Sequence, residues 1–475
     1  MTEIHDLSAL DLAAAVRRGE VSPTEIVEHT LDRAQRWGTA VGAFAAITPE
    51  LARSQAIAAE RAVLGSTDPL PPLLGVPCPI KDLAQVAGTP LRAGSAAVDD
   101  VSDVDDGVVT RLRDAGTVMI GKTSTPEFGL PPYTEPDIGP PARTPWDLSR
   151  TAGGSSGGAG AAVAARIAPI AHGSDGGGSI RIPASACGLV GLKPSRGVVS
   201  PGPYRVDGAG LGVNGVLSRD VRDTAAGLDA LTGPWPGDTF LPPVRSSSYL
   251  EATEQAPGPL RIGVLTTPVI TDDAVVDSTC LTAVEVTVAA LEAAGHQVDA
   301  APRPFTADRW ATFQAIWSVS ALQAPVDETG EALLTPLTRW LRETGREVSG
   351  LSLVEATTGM QMLTREIAAR WRNLDLILTP TLARPPVVIG EIRHDADPSA
   401  DFAAQMAWTP WTSIWNLTGW AAISVPVHRT EVDGRTLPIG VMLGATRPFD
   451  DATLLAVAAH LEQALPWRDT YPALN

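Results

Sequence analysis

Apolar and polar positions change rhythm several times along the chain, and each change predicts an element. Ser22-Pro23-Thr24-Glu25 sets a capping hydroxyl, a proline suited to the first helical position and a first-turn glutamate ahead of Ile26, Val27 and Leu31, which predicts an outer helix. From about Leu73 the pattern becomes short apolar runs punctuated by Gly and Pro, as in Leu74-Gly-Val-Pro-Cys-Pro-Ile80. A helix over Val109 to Ala115 and a strand over Val118 to Gly121 follow. Ile167 to Ala171 reads as a strand, Leu260 to Leu265 as another, and Ser278 to Ala294 as a helix stopped by Gly295. Residues 307–372 are helical in pattern and carry Trp310, Trp317, Trp340 and Trp371, while Leu376-Ile-Leu378 and Ile423-Ser-Val-Pro426 read as buried strands. Alternating strand and helix predicts an α/β fold, with one sheet running throughout. No repeat of fixed period interrupts it, and the Pro/Gly-bearing stretch near residues 232–260 reads as a linker or a long surface loop.

Composition narrows the function classes. With 44% apolar and 19% charged residues the chain has ample material for a core. Its 36 Lys+Arg against 54 Asp+Glu give a net charge of −18, which repels phosphate backbones and acidic membranes and argues against a nucleic-acid partner. Cys78, Cys187 and Cys280 are odd in number and far apart, unlike a disulfide framework or a metal cluster, so a cytoplasmic protein with no metal is expected. Glu3, Asp6 and Asp11 stand where an export signal wants basic residues, and the longest apolar stretch, Ala159 to Ala171, is short and broken by Arg166. A soluble protein without a membrane partner is therefore the expectation.

Candidate chemistry concentrates in residues 151–200. Thr151-Ala-Gly-Gly-Ser-Ser-Gly-Gly158 runs straight into the apolar helix formers Ala159 to Ala165, which disfavours a flexible Gly/Ser linker, since a linker would be flanked by polar residues. Downstream, three glycines precede a serine in His172-Gly-Ser-Asp-Gly-Gly-Gly-Ser-Ile-Arg181. Such a turn brings backbone close to a substrate carbonyl and can aim N–H groups at an oxyanion, which makes Ser179 a candidate nucleophile. A phosphate-binding loop is the competing reading, but neither GxxxxGK[ST] nor GxGxxG spacing is present. The seven histidines, His172 included, sit in no recognisable hydrolase motif; a lysine made neutral by burial can serve as the base instead. Lys81, in Pro79-Ile-Lys-Asp-Leu83, is the best candidate, with a structural lysine paired to Asp82 as the alternative.

These residues resemble the amidase signature family across nearly the whole chain. The likeness runs from Leu74-Gly-Val-Pro-Cys-Pro-Ile-Lys-Asp82 through Gly121-Lys-Thr-Ser-Thr-Pro-Glu-Phe-Gly129 and the Gly/Ser block to Gly191-Leu-Lys-Pro-Ser-Arg-Gly197 and Pro438-Ile-Gly440. The resemblance implies one large mixed, twisted sheet covered by helices on both faces. It implies a single amidase domain over 1–475, with an N-terminal helical part (1–72), a signature core (73–235) and a C-terminal part (236–475) whose segment 307–372 forms a substrate funnel. It also implies a Ser179 nucleophile, a Ser155 proton bridge following a cis Gly154–Ser155 peptide, a Lys81 base, and an oxyanion hole from Gly176, Gly177, Gly178 and the Ser179 N–H. No cofactor is implied; a homodimer is possible.

Within the family, Thr134-Glu-Pro136, Ser200-Pro-Gly-Pro203, Pro236-Gly-Asp-Thr-Phe240 and Leu461 to Trp467 resemble the nylon-oligomer amidases, the 6-aminohexanoate cyclic dimer hydrolases. That implies a small, neutral amide substrate. A carbamate cleaved by the same triad and the amidase subunit of a tRNA-dependent amidotransferase are the alternatives. Gly129, Leu130, Trp317 and Trp415 are the expected substrate-pocket residues; Trp408, Trp411 and Trp420 are expected in the core. Asp175 and Arg181 should form an ion pair that fixes the oxyanion loop. Gly176, Thr144, Trp420-Ala421 and Met442 depart from the common family pattern and are expected around the acyl pocket.

Overall fold

In the computed structural model, which describes residues 3–65, 69–206, 208–324 and 326–474, thirteen strands can be named in chain order. They are β1 (Phe44–Ile47), β2 (Ile80–Lys81), β3 (Pro90–Leu91), β4 (Asp100–Val101), β5 (Gly121–Thr123), β6 (Ile170–Asp175), β7 (Val190–Lys193), β8 (Val213–Ser218), β9 (Arg261–Val264), β10 (Gln297–Ala300), β11 (Leu376–Pro380), β12 (Ala422–Val432) and β13 (Arg435–Ala445). Eight of them form one mixed sheet in the order β10-β9-β11-β13-β12-β7-β8-β6. The β10, β9 and β11 neighbours run parallel and the remaining pairs antiparallel. All five residues of β11 are buried, so the sheet is covered on both faces there, as the apolar run Leu376-Ile-Leu378 required. A small sheet of order β1-β5-β2 lies beside it and a β3-β4 ribbon completes the set.

Local chemistry explains where elements begin. The helix Pro23–Trp37 opens on a reciprocal capping box between Ser22 and Glu25 and buries Ile26, Val27 and Leu31, worth about 1.5–3 kcal/mol for each large side chain. The apolar run before Ile80 is only partly a strand, because Pro77 and Pro79 lack an N–H to donate. Cys78 still donates to the Val118 carbonyl at 2.9 Å, and Val118 donates to Val76 at 2.8 Å. Helices span Gly107–Asp114 and Ser278–Ala293, close to the predicted spans, and residues 307–372 contain the helices Ala311–Ser320, Pro336–Glu347 and Gly350–Arg370. The 232–260 stretch is a loop interrupted by the short helix Tyr249–Ala252, which buries Tyr249; it is tied down by Arg111, whose guanidinium donates to the carbonyls of Thr232, Gly233 and Pro234, and by Ser200, which donates to Asp238. Among the described residues no helix is long and apolar enough to cross a membrane.

Two wholly buried helices flank the Gly-rich turns. In Gly157–Ala164 every residue is buried, which explains a segment apolar on all sides; a Cβ on Gly158 would fall 2.4 Å from the Ser124 nitrogen. The second, Arg181–Cys187, packs on β7, β12 and β13 and begins directly after the turn that leaves β6.

Candidate active site

Strand β2 ends on Lys81, whose side chain is completely buried. Its Nζ lies 2.7 Å from Ser155 Oγ, 3.1 Å from Ser174 Oγ and 3.4 Å from the Ser174 carbonyl. Burial drives the ammonium down to about 7, with the Asp175 carboxylate pulling weakly the other way. The pairing with Asp82 does not form: Asp82 Oδ1 accepts instead from Lys122 Nζ at 2.7 Å. His172, the nearby histidine, supports Lys81 from behind. Burial holds its imidazole down to about 4 despite the bond to Asn214, so Nδ1 accepts from the Lys81 N–H at 3.3 Å while Nε2 faces Asn214 Oδ1 at 3.1 Å.

Ser155 follows a cis peptide from Gly154. The neighbouring Ser156 N–H donates to the Ser179 carbonyl at 3.2 Å, which draws the two Gly/Ser turns together although they are far apart in the chain. Gly129, with φ of 70°, stands beside Ser155; a Cβ there would lie 3.1 Å from Ser155 Oγ and 2.7 Å from Leu83.

The Ser179 turn is pinned by a buried ion pair. Arg181 donates to Asp175 through Nε and Nη2, each at 2.9 Å, and both side chains are fully buried. Burial pushes the Asp175 carboxyl up, but the Arg181 guanidinium, Asn416 and Lys193 together outweigh it and hold the group well below the usual carboxylate range. Asp175 also accepts from the N–H groups of Gly178 at 2.8 Å and Ile180 at 3.1 Å, and from Asn416 Nδ2 at 2.9 Å. This corrects one oxyanion expectation: the Gly178 N–H is already committed to Asp175. Among the described residues nothing accepts from the N–H groups of Gly176, Gly177 or Ser179. Thr412 Oγ1 fixes the Gly177 peptide by donating to its carbonyl at 2.6 Å.

A solvent-open pocket reaches Ser179 and Gly177. Leu130 and Trp317 line it, Gly129 does not and stands beside Ser155 instead, and residues that sequence reasoning missed join them, among them Phe313, Ile182, Phe402 and Gln405. Trp310, Phe313 and Trp317 stack in succession at centroid separations of 4.1 and 5.5 Å. A Cβ at Gly176 would meet the Trp317 ring at 3.2 Å, so glycine there accommodates the indole. Trp415 does not belong to the pocket: it is fully buried, stacks on Trp371 at 6.1 Å and donates from Nε1 to the Ala445 carbonyl at 3.0 Å. Its funnel-like sequence position misleads because the short helix Ile414–Thr418 turns this side chain toward β13, where Gly444 leaves room for it. Thr144, Trp420 and Met442 are likewise outside the pocket lining; the Met442 sulfur sits 3.2 Å from Arg181 Nη1. Residues such as Asn416 and Thr412 lie about 235 positions from the turn they hold, and no local signal marks them. Among the described residues no cluster of three or more His, Cys, Asp or Glu side chains is placed to hold a metal ion.

The family profile described as Amidase matches residues 25–455. The chain belongs to the amidase family. It is 38% identical to a putative amidase of Synechocystis, over 98% of this chain and 90% of that protein. It is 37% identical to the 6-aminohexanoate-cyclic-dimer hydrolase of Paenarthrobacter ureafaciens, over 97% and 95% of the two chains. The solved structure of a 6-aminohexanoate cyclic dimer hydrolase complexed with substrate superposes with a TM-score of 0.90 at 34% identity, covering 98% of this chain and 99% of that one. A bacterial aryl acylamidase of the amidase signature family superposes at 0.86 with 26% identity, covering 98% and 99%. The resemblance read from the motifs is thus the family of the chain, and the protein is an amidase of mixed α/β architecture.

Proposed function

We propose that this amidase hydrolyses small neutral amides through an acyl-enzyme on Ser179, with Ser155 and Lys81 as the proton relay. The observation that carries the reading is the 2.7 Å approach of a fully buried Lys81 Nζ to Ser155 Oγ. A lysine near 7 is largely neutral at slightly alkaline pH. Its two N–H bonds can then serve the Ser174 hydroxyl and carbonyl, and its lone pair accepts the Ser155 proton.

Ser155 Oγ takes the Ser179 proton as it gives its own to Lys81, and Ser179 Oγ attacks the acyl carbon. The unused N–H groups of Gly176, Gly177 and Ser179 are the donors for the resulting oxyanion, each worth about 2.7–4 kcal/mol in acyl-transfer sites. Collapse returns the proton through Ser155 to the departing amine, and water enters by the reverse relay to release the acid. The pocket lining carries no ionisable side chain, so a charged acyl group would enter unpaired. The relatives named for cyclic 6-aminohexanoate dimer and aryl acylamide hydrolysis support neutral amides as the class.

Wild type and Ser179→Ala, assayed side by side on an aryl acylamide, linear and cyclic 6-aminohexanoate oligomers, a small dicarbamate and glutamine, test the proposal. Turnover of a neutral amide should fall at least about a thousandfold in the variant. Undiminished turnover in Ser179→Ala would remove Ser179 as nucleophile, and preference for the dicarbamate would reassign the substrate.

A further inference from the structure

Apart from Ser179, the polar side chains lining the pocket are Gln405, on the helix Pro398–Trp408, and Thr409 and Ser413 just beyond it. One turn earlier on that helix is the buried Asp401, whose Oδ1 faces Gln405 Nε2 at 2.6 Å. Asp401 Oδ2 already accepts from Tyr133 Oη at 2.8 Å and from the His394 N–H at 2.9 Å. Burial, reinforced by the adjacent Asp401, holds the Tyr133 phenol above its ordinary value, so it remains an O–H donor. A carboxylate that only accepts can be met only by the NH2 end of the Gln405 amide, which fixes the side chain's orientation. Oε1 is therefore the end left over, and among the described residues nothing donates to it. Further along the chain, the Ser413 hydroxyl, which also lines the pocket, is buried with no partner among the described residues. Before a ligand enters, Gln405 Oε1 can be met only by water and the Ser413 hydroxyl lacks a partner, so a ligand group that donates there completes the site.

We propose that Gln405 Oε1 is a specificity determinant that accepts from an N–H in the acyl part of the substrate. The preferred substrates are then neutral acyl amides that carry a second, non-scissile amide N–H along the acyl chain. Asp401 and Tyr133 act as positioning residues that keep the acceptor end turned inward. No carboxylate lines the pocket, which favours a neutral N–H over an ammonium. This inference rests on the acyl-amide reading above.

The test uses a series of ω-acetamidoalkanoic anilides of increasing chain length, each beside the analogue with CH2 in place of the acetamide N–H. Binding is measured by calorimetry to Ser179→Ala, so that recognition is read without chemistry. At least one chain length should bind about ten- to a hundredfold tighter than its CH2 analogue, the range expected when a site's buried polar group is left unmet. That ratio should collapse to about twofold or less when Gln405→Met is added. Asp401→Asn, whose own NH2 can turn to Gln405 Oε1 and free Nε2 for the pocket, should also erase it, and keeps the question open to measurement if Gln405→Met fails to fold. Equal affinities throughout the series, or a ratio that survives both substitutions, would overturn the inference even with Ser179-dependent hydrolysis intact. Hydrolysis that persists in Ser179→Ala alongside a Gln405-dependent ratio would instead defeat the acyl-enzyme reading and leave this one standing.

Discussion

Replacing Lys81 by Met tests burial and catalysis in one variant, because the same desolvation sets both. The lysine falls from 10.5 to about 7 on folding. At about 1.36 kcal/mol for each tenfold change in proton affinity, that gap corresponds to about 5 kcal/mol. The folded state holds its proton less tightly than the unfolded chain, so between about pH 7 and 10.5 unfolding takes up a proton and this group makes stability rise with pH. Below about pH 7 the folded protein carries the whole penalty of a buried ammonium. Met fills a similar volume without titrating, although it leaves Ser155 and Ser174 without their nitrogen partner. Denaturant unfolding of both proteins at pH 6, 8 and 9.5 should show wild type gaining on Lys81→Met as pH rises, by roughly 3 kcal/mol over that interval. The kcat/KM of wild type should fall on the acid side with an apparent pKa near 7, and the variant should lose at least about a thousandfold in kcat/KM. A pH-independent stability difference would refute the depressed lysine, and an unaltered acid limb in Lys81→Met would refute its role as base.

Three further outcomes follow from the packing. Trp317 lines both the pocket at Ser179 and a second, solvent-open cleft, so Trp317→Ala should join them and shift kcat/KM toward bulkier acyl groups by roughly tenfold or more, read from paired anilides. Trp415→Ala should cost about 3–5 kcal/mol in denaturant unfolding and leave acyl-chain preference unaltered, because its ring packs in the core. Cys78, Cys187 and Cys280 are buried free thiols, each pushed up to about 12 chiefly by burial. They should resist Ellman's reagent at pH 8 in the native protein and react fully after denaturation.

Much of this protein was determined by local order in its sequence. The Ser22/Glu25 capping box, the Gly-rich turns and the short apolar runs that open β11 and β12 act over a few residues, so their elements can be read without a structure. The spacing of Lys81, Ser155 and Ser179 within family motifs marked the candidate chemistry in the same way. Tertiary structure alone decided which N–H groups remain free at the turn, since Asp175 claims that of Gly178 through a loop geometry no composition reveals. It decided that Asp82 pairs with Lys122, leaving Lys81 without that salt bridge, and that Trp317 faces the pocket while Trp415 faces β13. It also brought Tyr133 and Asp401, 268 positions apart, together behind Gln405. The physical reason is range: caps and periodicity depend on neighbours in the chain, whereas the direction of a buried donor or acceptor depends on whichever partner the folded chain brings to it.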